Sequence, residues 1–346
     1  MAPRIPRRCA AVIKGHQGGV LCVRFTRDGA YLMTAGQDRT VMLWNPVRED
    51  ADVSGPALAA EPGSGPLTLR RPITTFAGHS HEVFGLAIAA DNSRFVSCGG
   101  DKQVIVWDVA TARAMRKLGG HTHRVNAVAL NADASVAFSA GYDTTVRCWD
   151  LRSHMREPIQ TLMQAADSVS SVQVHAHKLV TGSVDGCVRV YDLRMGVLAT
   201  HTVGPPVSSA VVSRDGNCVL VCTLDDHARL LDLASGELLA TYGAPGRSVI
   251  ADGGDGAATA AQRAPAVWSF RCRSYKLEAA LASDDAYALA GSEDGGVHMW
   301  DLVSAESLGV LTGHTAPVCS TVCHPDLAQC AVLTGSHDGT ARYWLP

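Results

Sequence analysis

The sequence predicts an all-β protein: a single seven-bladed β-propeller over residues 1–346, closed by an N-terminal strand that pairs with the C-terminal blade. Two observations carry this reading. An aspartate stands six residues before a strand-ending hydrophobic residue seven times, at Asp38/Trp44, Asp101/Trp107, Asp143/Trp149, Asp185/Tyr191, Asp225/Leu231, Asp294/Trp300 and Asp338/Trp344, and five of the six tryptophans take the second slot. Those second positions lie 63, 42, 42, 40, 69 and 44 residues apart, a period of ~40 to 45 residues interrupted twice. Length alone would suggest about two domains of ~150 residues, but a closed ring of repeats uses its whole length as one.

The elements follow in chain order. Cys9 to Lys14 precedes the first Gly-His as Ile73 to Phe76 precedes the second, and the last repeat stops two residues after Trp344, with no room for an outermost strand. A circular sheet assembly must protect its edges, so residues 9–14 are expected to supply that strand. Within each repeat, short apolar or alternating runs are separated by turns such as Thr26-Arg27-Asp28-Gly29, Ser213-Arg214-Asp215-Gly216 and His324-Pro325-Asp326, which hold the residues that turn geometry prefers. The long first and fifth intervals locate two insertions, 46–72 and 243–266, rich in Pro, Gly and Ala without sustained periodicity. Both read as flexible loops.

Four repeats carry a full polar set: His16, Thr34, Asp38 and Trp44; His79, Ser97, Asp101 and Trp107; His121, Ser139, Asp143 and Trp149; His314, Thr334, Asp338 and Trp344. A unit opened by Gly-His and ended by Trp-Asp resembles the WD-repeat family. The resemblance implies a hydrogen-bonded chain from indole through hydroxyl and imidazole to carboxylate. The same groups could form a hydrolase triad, but a triad acts once at an accessible site, whereas this set recurs four times beside a tryptophan. The set therefore reads as structural, and losing Asp101 or Asp143 should lower stability. Blades four to six depart from it: Tyr191 and Leu231 replace tryptophan, Val221 and Ala290 replace the hydroxyl residue, and none opens with Gly-His. They are expected to form the less rigid side.

With 30 basic and 33 acidic side chains the net charge is −3, so neither nucleic-acid nor membrane binding is expected. No apolar run reaches the ~18 residues of a membrane span, and the N-terminus lacks a secretory apolar core. A soluble intracellular chain is expected. The eleven cysteines are an odd number and mostly fall in apolar strand patterns, which fits small hydrophobes in a reducing compartment. Cys319, Cys323, His324 and Cys330 raise zinc as an alternative, but they lie along one strand and turn rather than in a closed four-ligand set. No metal or cofactor is expected, and no Gly-rich phosphate loop or unexplained acid pair points to an enzyme.

Recognition is expected on the narrow face around the channel, where the repeat places Gln37, Glu82, Phe84, Arg124, Asn126, Tyr142, Lys276, Glu278, Glu293 and His337. Arginine and aromatic residues dominate interface anchors, which singles out Phe84, Arg124 and Tyr142. Two repeats end in Trp149-Asp150-Leu151-Arg152 and Tyr191-Asp192-Leu193-Arg194. These resemble the Trp-Asp-x-Arg of WD-repeat proteins that dock on the adaptor of cullin-type ubiquitin ligases; in the alternative reading Arg152 and Arg194 simply open surface turns.

Longer stretches resemble one family, the mitogen-activated protein kinase organizer, a WD-repeat scaffold also found in spliceosomes. They are DKQVIVWDVA (Asp101 to Ala110), TTVRCWDLRS (Thr144 to Ser153), VSSV (Val169 to Val172), GSVDGCVRVYDLRMG (Gly182 to Gly196), RLLDLASGELL (Arg229 to Leu239), YKLEAAL (Tyr275 to Leu281) and SEDGGVHMWDLV (Ser292 to Val303). The two insertions, the seventh repeat GSHDGTARYWLP and the missing Gly-His before blade six depart from that family's pattern. The resemblance implies a noncatalytic scaffold for splicing proteins and for components of a kinase cascade. It would work in the nucleus and cytoplasm as a monomeric subunit of larger complexes.

Overall fold

A computed structural model describes residues 5–46, 66–194, 196–243, 249–250, 269–282, 284–326 and 328–346. They form seven antiparallel blades, ordered from the channel outward. Blade 1 is Val20–Phe25, Leu32–Gly36, Thr40–Trp44 and Thr74–Ala77. Blade 2 is Val83–Ile88, Arg94–Gly99, Gln103–Asp108 and Arg113–Gly119. Blade 3 is Val125–Leu130, Val136–Gly141, Val146–Asp150 and Gln160–Leu162. Blade 4 is Val169–His175, Lys178–Ser183, Cys187–Asp192 and Gly196–Thr202. Blade 5 is Val207–Val212, Cys218–Thr223, His227–Asp232 and Leu238–Tyr242. Blade 6 is Ala279–Leu281, Tyr287–Gly291, Val297–Asp301 and Ser307–Leu311. Blade 7 is Val318–Cys323, Val332–Ser336 and Thr340–Leu345, with Arg8–Lys14 as its fourth strand.

The closing strand runs antiparallel to the last one, with Cys9 opposite Trp344 and Lys14 opposite Thr340. It starts one residue earlier than the sequence suggests. Both its faces are buried: Ala11 and Ile13 join Leu333, Ala341 and Trp44 in one cluster, and Cys9 and Val12 join Trp344 and Leu311 in another. The closing strand thus joins the core between the last blade and the first.

The insertions differ in part from simple loops. Residues 47–65, 244–248 and 251–266 lie outside the described residues. Of the rest, Leu67–Leu69 adds a fifth strand parallel to the closing strand, and Leu69 is buried against Ala11 and Ile13. Val249–Ile250 likewise runs parallel to Ser307–Leu311. The physical reason is the exposed edge: an outermost strand has a row of free backbone groups that a passing apolar segment can pair.

Two local features aim the side chains that matter for function. In blades 1 to 5 and 7 the inner hairpin shifts register after the first residue of the innermost strand, as between Val83 and Gly85 or Val125 and Ala127. Such a bulge leaves one residue without a ladder partner and re-aims its side chain; Phe84 and Asn126 occupy this slot. The residue after each turn aspartate has positive φ in all seven blades: Arg39, Lys102, Thr144, Gly186, Asp226, Gly295 and Gly339. That left-handed residue turns the chain back into the third strand and puts the preceding aspartate at the blade's end.

Candidate functional site

The polar sets form the chain that the family resemblance implies. In blade 1, His16 Nδ1 lies 2.8 Å from Asp38 Oδ2 and Nε2 lies 2.7 Å from Thr34 Oγ1, which also accepts from Trp44 Nε1 at 2.9 Å. In blade 2, His79 spans Asp101 at 2.8 Å and Ser97 at 2.7 Å, with Trp107 donating to Ser97 at 2.7 Å. His121 joins Asp143 at 3.0 Å to Ser139 at 2.7 Å, and Trp149 donates to that hydroxyl at 2.8 Å. His314 does the same between Asp338 at 2.8 Å and Thr334 at 2.9 Å, and Trp344 completes the set at 3.0 Å. The hydroxyls of Thr34, Ser97, Ser139 and Thr334 belong to residues with no exposed surface. A nucleophile needs access to substrate, so these serines and threonines are structural links. Each aspartate also accepts the backbone N–H that follows its histidine, as from Thr122 at 2.9 Å. The glycine of Gly-His is explained by the same packing: a Cβ on Gly15 would lie 2.5 Å from the Trp44 ring and one on Gly78 2.8 Å from that of Trp107.

Blades 4 to 6 replace the histidine instead of leaving the aspartate bare. Asp185 takes two bonds from Arg189, at 2.7 and 3.3 Å. Asp225 is forked by Arg229 at 2.5 and 3.0 Å, and Asp294 faces His298 at 3.2 Å, whose ring stacks on Trp300. All three substitutes stand four residues after the aspartate, on the third strand that follows its turn. The missing Gly-His therefore does not leave the aspartates of these blades without a side-chain partner. Sequence reasoning missed Arg189, Arg229 and His298, although their common +4 offset was a readable signal.

The residues expected on the narrow face lie on or beside the face of the turn aspartates, and the structure separates them into three groups. The first is an exposed stack on blades 2 and 3: the Arg124 guanidinium lies 4.9 Å from the Tyr142 ring centroid and 5.8 Å from that of Phe84, and His123 flanks Tyr142 at 6.0 Å. Glu82 and Gln37 are also exposed, with Gln37 accepting from Gly19 N at 3.0 Å.

The second group turns inward. Asn126 is buried and donates to Ser168 Oγ at 2.9 Å and Val169 O at 2.8 Å, so it ties blade 3 to blade 4 rather than facing a partner. Lys276 donates to the Asn126 carbonyl at 2.7 Å, joining blade 6 to blade 3 across the ring. Glu278 receives Arg24 of blade 1 at 2.8 and 3.1 Å and the Ser320 hydroxyl of blade 7 at 2.6 Å. Burial would raise the Glu278 carboxyl, but the Arg24 guanidinium, together with the Lys276 charge and the Ser320 hydroxyl, holds it below the usual range. Arg24 was missed; in the run Val20 to Phe25 it is the single charge, a strand-interior arginine that needed a partner.

The third group braces blade 6 against blade 7. Glu293 accepts the backbone N–H groups of Arg273, Ser274 and Tyr275 at 2.8, 2.6 and 3.1 Å, and the Tyr275 ring packs on His337 at 5.1 Å. Half-burial lowers the His337 pKa.

Arg152 and Arg194 lie on the opposite face. Arg152 is 73% exposed along its side chain and reaches Asp133 at 2.7 Å; Arg194 is 69% exposed and folds onto Asp192 at 3.4 Å. The Cys319, Cys323, His324 and Cys330 set is not gathered: among the described residues no three His, Cys, Asp or Glu side chains are placed to hold one ion. His324 is buried in blade 7, where it accepts from Asp326 N and faces the Gly29 carbonyl of blade 1.

Comparison with known proteins agrees with this architecture. The family model described as WD domain, G-beta repeat matches residues 7–45 and 305–344. The N-terminal domain of nucleolar protein 10-like proteins matches 80–251. The chain is 40% identical to WD repeat domain-containing protein 83 of Rattus norvegicus over 99% of its own length and 93% of the relative's. It is 39% identical to the Homo sapiens protein of that name at the same coverage. A Dictyostelium discoideum homolog is 27% identical, with 97% of each chain covered.

Proposed function

Since the chain belongs to the WD repeat domain-containing protein 83 family, we propose that it is a noncatalytic scaffold of the spliceosome acting in pre-mRNA splicing, with a second role in organising a mitogen-activated protein kinase cascade. Such a protein works in the nucleus and the cytoplasm. The observation that carries the reading is the Phe84–Arg124–Tyr142 stack. It is an exposed cation held between two rings, with Tyr142 49% exposed, and arginine and tyrosine are the residue types that anchor protein interfaces. The polar sets, Asn126, Glu278 and Glu293 are held in ties within and between blades, which suits a rigid platform better than a reaction centre.

The test is affinity capture from nuclear extract with the parent protein and an Arg124→Ala/Tyr142→Ala variant of matched melting temperature. Splicing proteins should be recovered with the parent and lost with the variant. Equal recovery by both would remove this surface from the proposal, and absence of splicing proteins from both would remove the function.

A second reading, a substrate receptor of a cullin-type ubiquitin ligase, is favoured by the exposed guanidinium of Arg152. It requires adaptor capture that fails in an Arg152→Ala/Arg194→Ala variant.

A further inference from the structure

We propose that the central channel, entered from the face opposite the turn aspartates, is a binding site for an acidic side chain presented by a partner protein. The innermost strands enclose a cavity of about 500 Å³, within the ~300 to 1,000 Å³ range of ligand sites. Small residues such as Gly85, Ala87, Ala127, Ala129, Ser209 and Ala210 keep it wide. Lys276, bonded across the ring to Asn126, closes its inner end. Arg27, His175 and Pro325, which line its other end, stand where innermost strands give way to turns of the opposite face.

Charge selects the ligand. The lining holds three cationic side chains, Arg24, Arg27 and Lys276, against one carboxylate, Glu278. That carboxylate is already engaged by Arg24 and Ser320. The Lys276 ammonium has three donors and gives one to Asn126; Glu278 feels its charge, but among the described residues no carboxylate forms an ion pair with it. The walls ask for little. The backbone N–H groups of Val23, Ala210, Val212 and Ala279 are taken by Ser320, Ser171, Gln173 and Ser209 side chains. A low-dielectric well with net positive charge attracts an anion and rejects a lysine or arginine.

The outer lining identifies the source of that anion. Ile88, Leu130, Val211 and Leu281 add apolar contact. The methylenes of a glutamate or aspartate, and the chain that carries it, would cover that surface, whereas a free inorganic anion would leave it bare. This site lies apart from Arg124 and Tyr142 and does not depend on the splicing reading.

The experiment selects a random heptapeptide library displayed on phage against the folded full-length chain, then measures synthetic versions of the winners by fluorescence anisotropy. Variants are Lys276→Met, Arg27→Gln and Arg124→Ala/Tyr142→Ala, each checked for a parent-like melt. Arg27 serves as the second variant because its side chain lines the mouth, while the hydrogen bond it gives Asn92 comes from its backbone N–H and survives the substitution. Winners should carry an aspartate or glutamate, weaken at least tenfold with Lys276→Met and severalfold with Arg27→Gln, and be indifferent to Arg124→Ala/Tyr142→Ala. No enrichment, winners without an acid, or binding that ignores both Lys276 and Arg27 would overturn the proposal. Displacement by inorganic phosphate with no preference for acidic peptides would overturn it in favour of a small-anion site.

Discussion

Thr144 sits where the repeat and the local backbone preference disagree. Its φ is 64° in a slot that Gly186, Gly295 and Gly339 fill in other blades, and a β-branched residue in the left-handed region is a genuine outlier. The cost is of order 1 to 3 kcal/mol, part of which glycine would return as unfolded-chain entropy. Thr144→Gly is therefore expected to stabilise the protein by about 1 kcal/mol, read as a higher urea midpoint at unchanged slope; a lower midpoint would mean that the threonine side chain contributes packing. Asp38 shows the opposite case, a residue well suited to its place. Burial would raise its carboxyl, but the His16 hydrogen bond and charge, with Thr40, bring it down to about 2 from 3.8. A depressed carboxyl stabilises the fold above the unfolded value near 4, and that contribution disappears as pH falls through about 2. Asp38→Asn should then cost about 1 to 2 kcal/mol at neutral pH, with the gap to the parent closing between pH ~4 and ~2. A gap that stays constant across that window would show that charge plays no part.

At the scale of elements, the strand order was largely legible, because turn residues and alternating apolar runs repeat at a fixed period. The closing strand was legible too, by analogy between Cys9–Lys14 and Ile73–Phe76. Deleting residues 1–14 should lower the melting temperature of the whole ring, since it strips the edge off Thr340–Leu345 and removes Ala11 and Ile13 from the core. An unchanged melt would refute that closure. Leu67–Leu69 was not legible: a three-residue strand has too little periodicity to stand out from a Pro- and Gly-rich stretch, and its partner is parallel and distant in sequence. The blade 4 substitute for Gly-His was missed for another reason. Arg189 reads as an ordinary strand arginine until its partner Asp185 is seen four residues back, with both side chains at most 10% exposed. Removing one member of a buried pair strands the other charge, so Arg189→Met should cost about 3 kcal/mol, and adding Asp185→Asn should recover part of it. Purely additive losses in urea titrations of the two single variants and the double would show no coupling.

Over the whole molecule, what could not be read from the sequence is which residues meet across the ring. Period and alternation place Lys276 and Glu278 near the channel, but they do not tell a surface charge from one committed to another blade. That distinction depends on Arg24, 254 positions away from Glu278 in sequence, and on the Asn126 carbonyl of blade 3, which accepts from Lys276 across the ring. The bidentate Arg24–Glu278 pair, with Ser320 between them, ties blades 1, 6 and 7 together at the seam where the closing strand works from outside. The seam is thus held at both its rim and its hub, and the two ties should depend on each other. Glu278→Ala leaves the Arg24 guanidinium uncompensated in the channel, a change worth about 3 kcal/mol or more. Its effect should be spatially selective: hydrogen exchange should accelerate in the innermost strands of blades 1, 6 and 7 before that of blade 3, because coupling travels through packed neighbours. Acceleration confined to blade 6 would mean that the pair is a local contact, with the ring's closure resting on the outer strand alone.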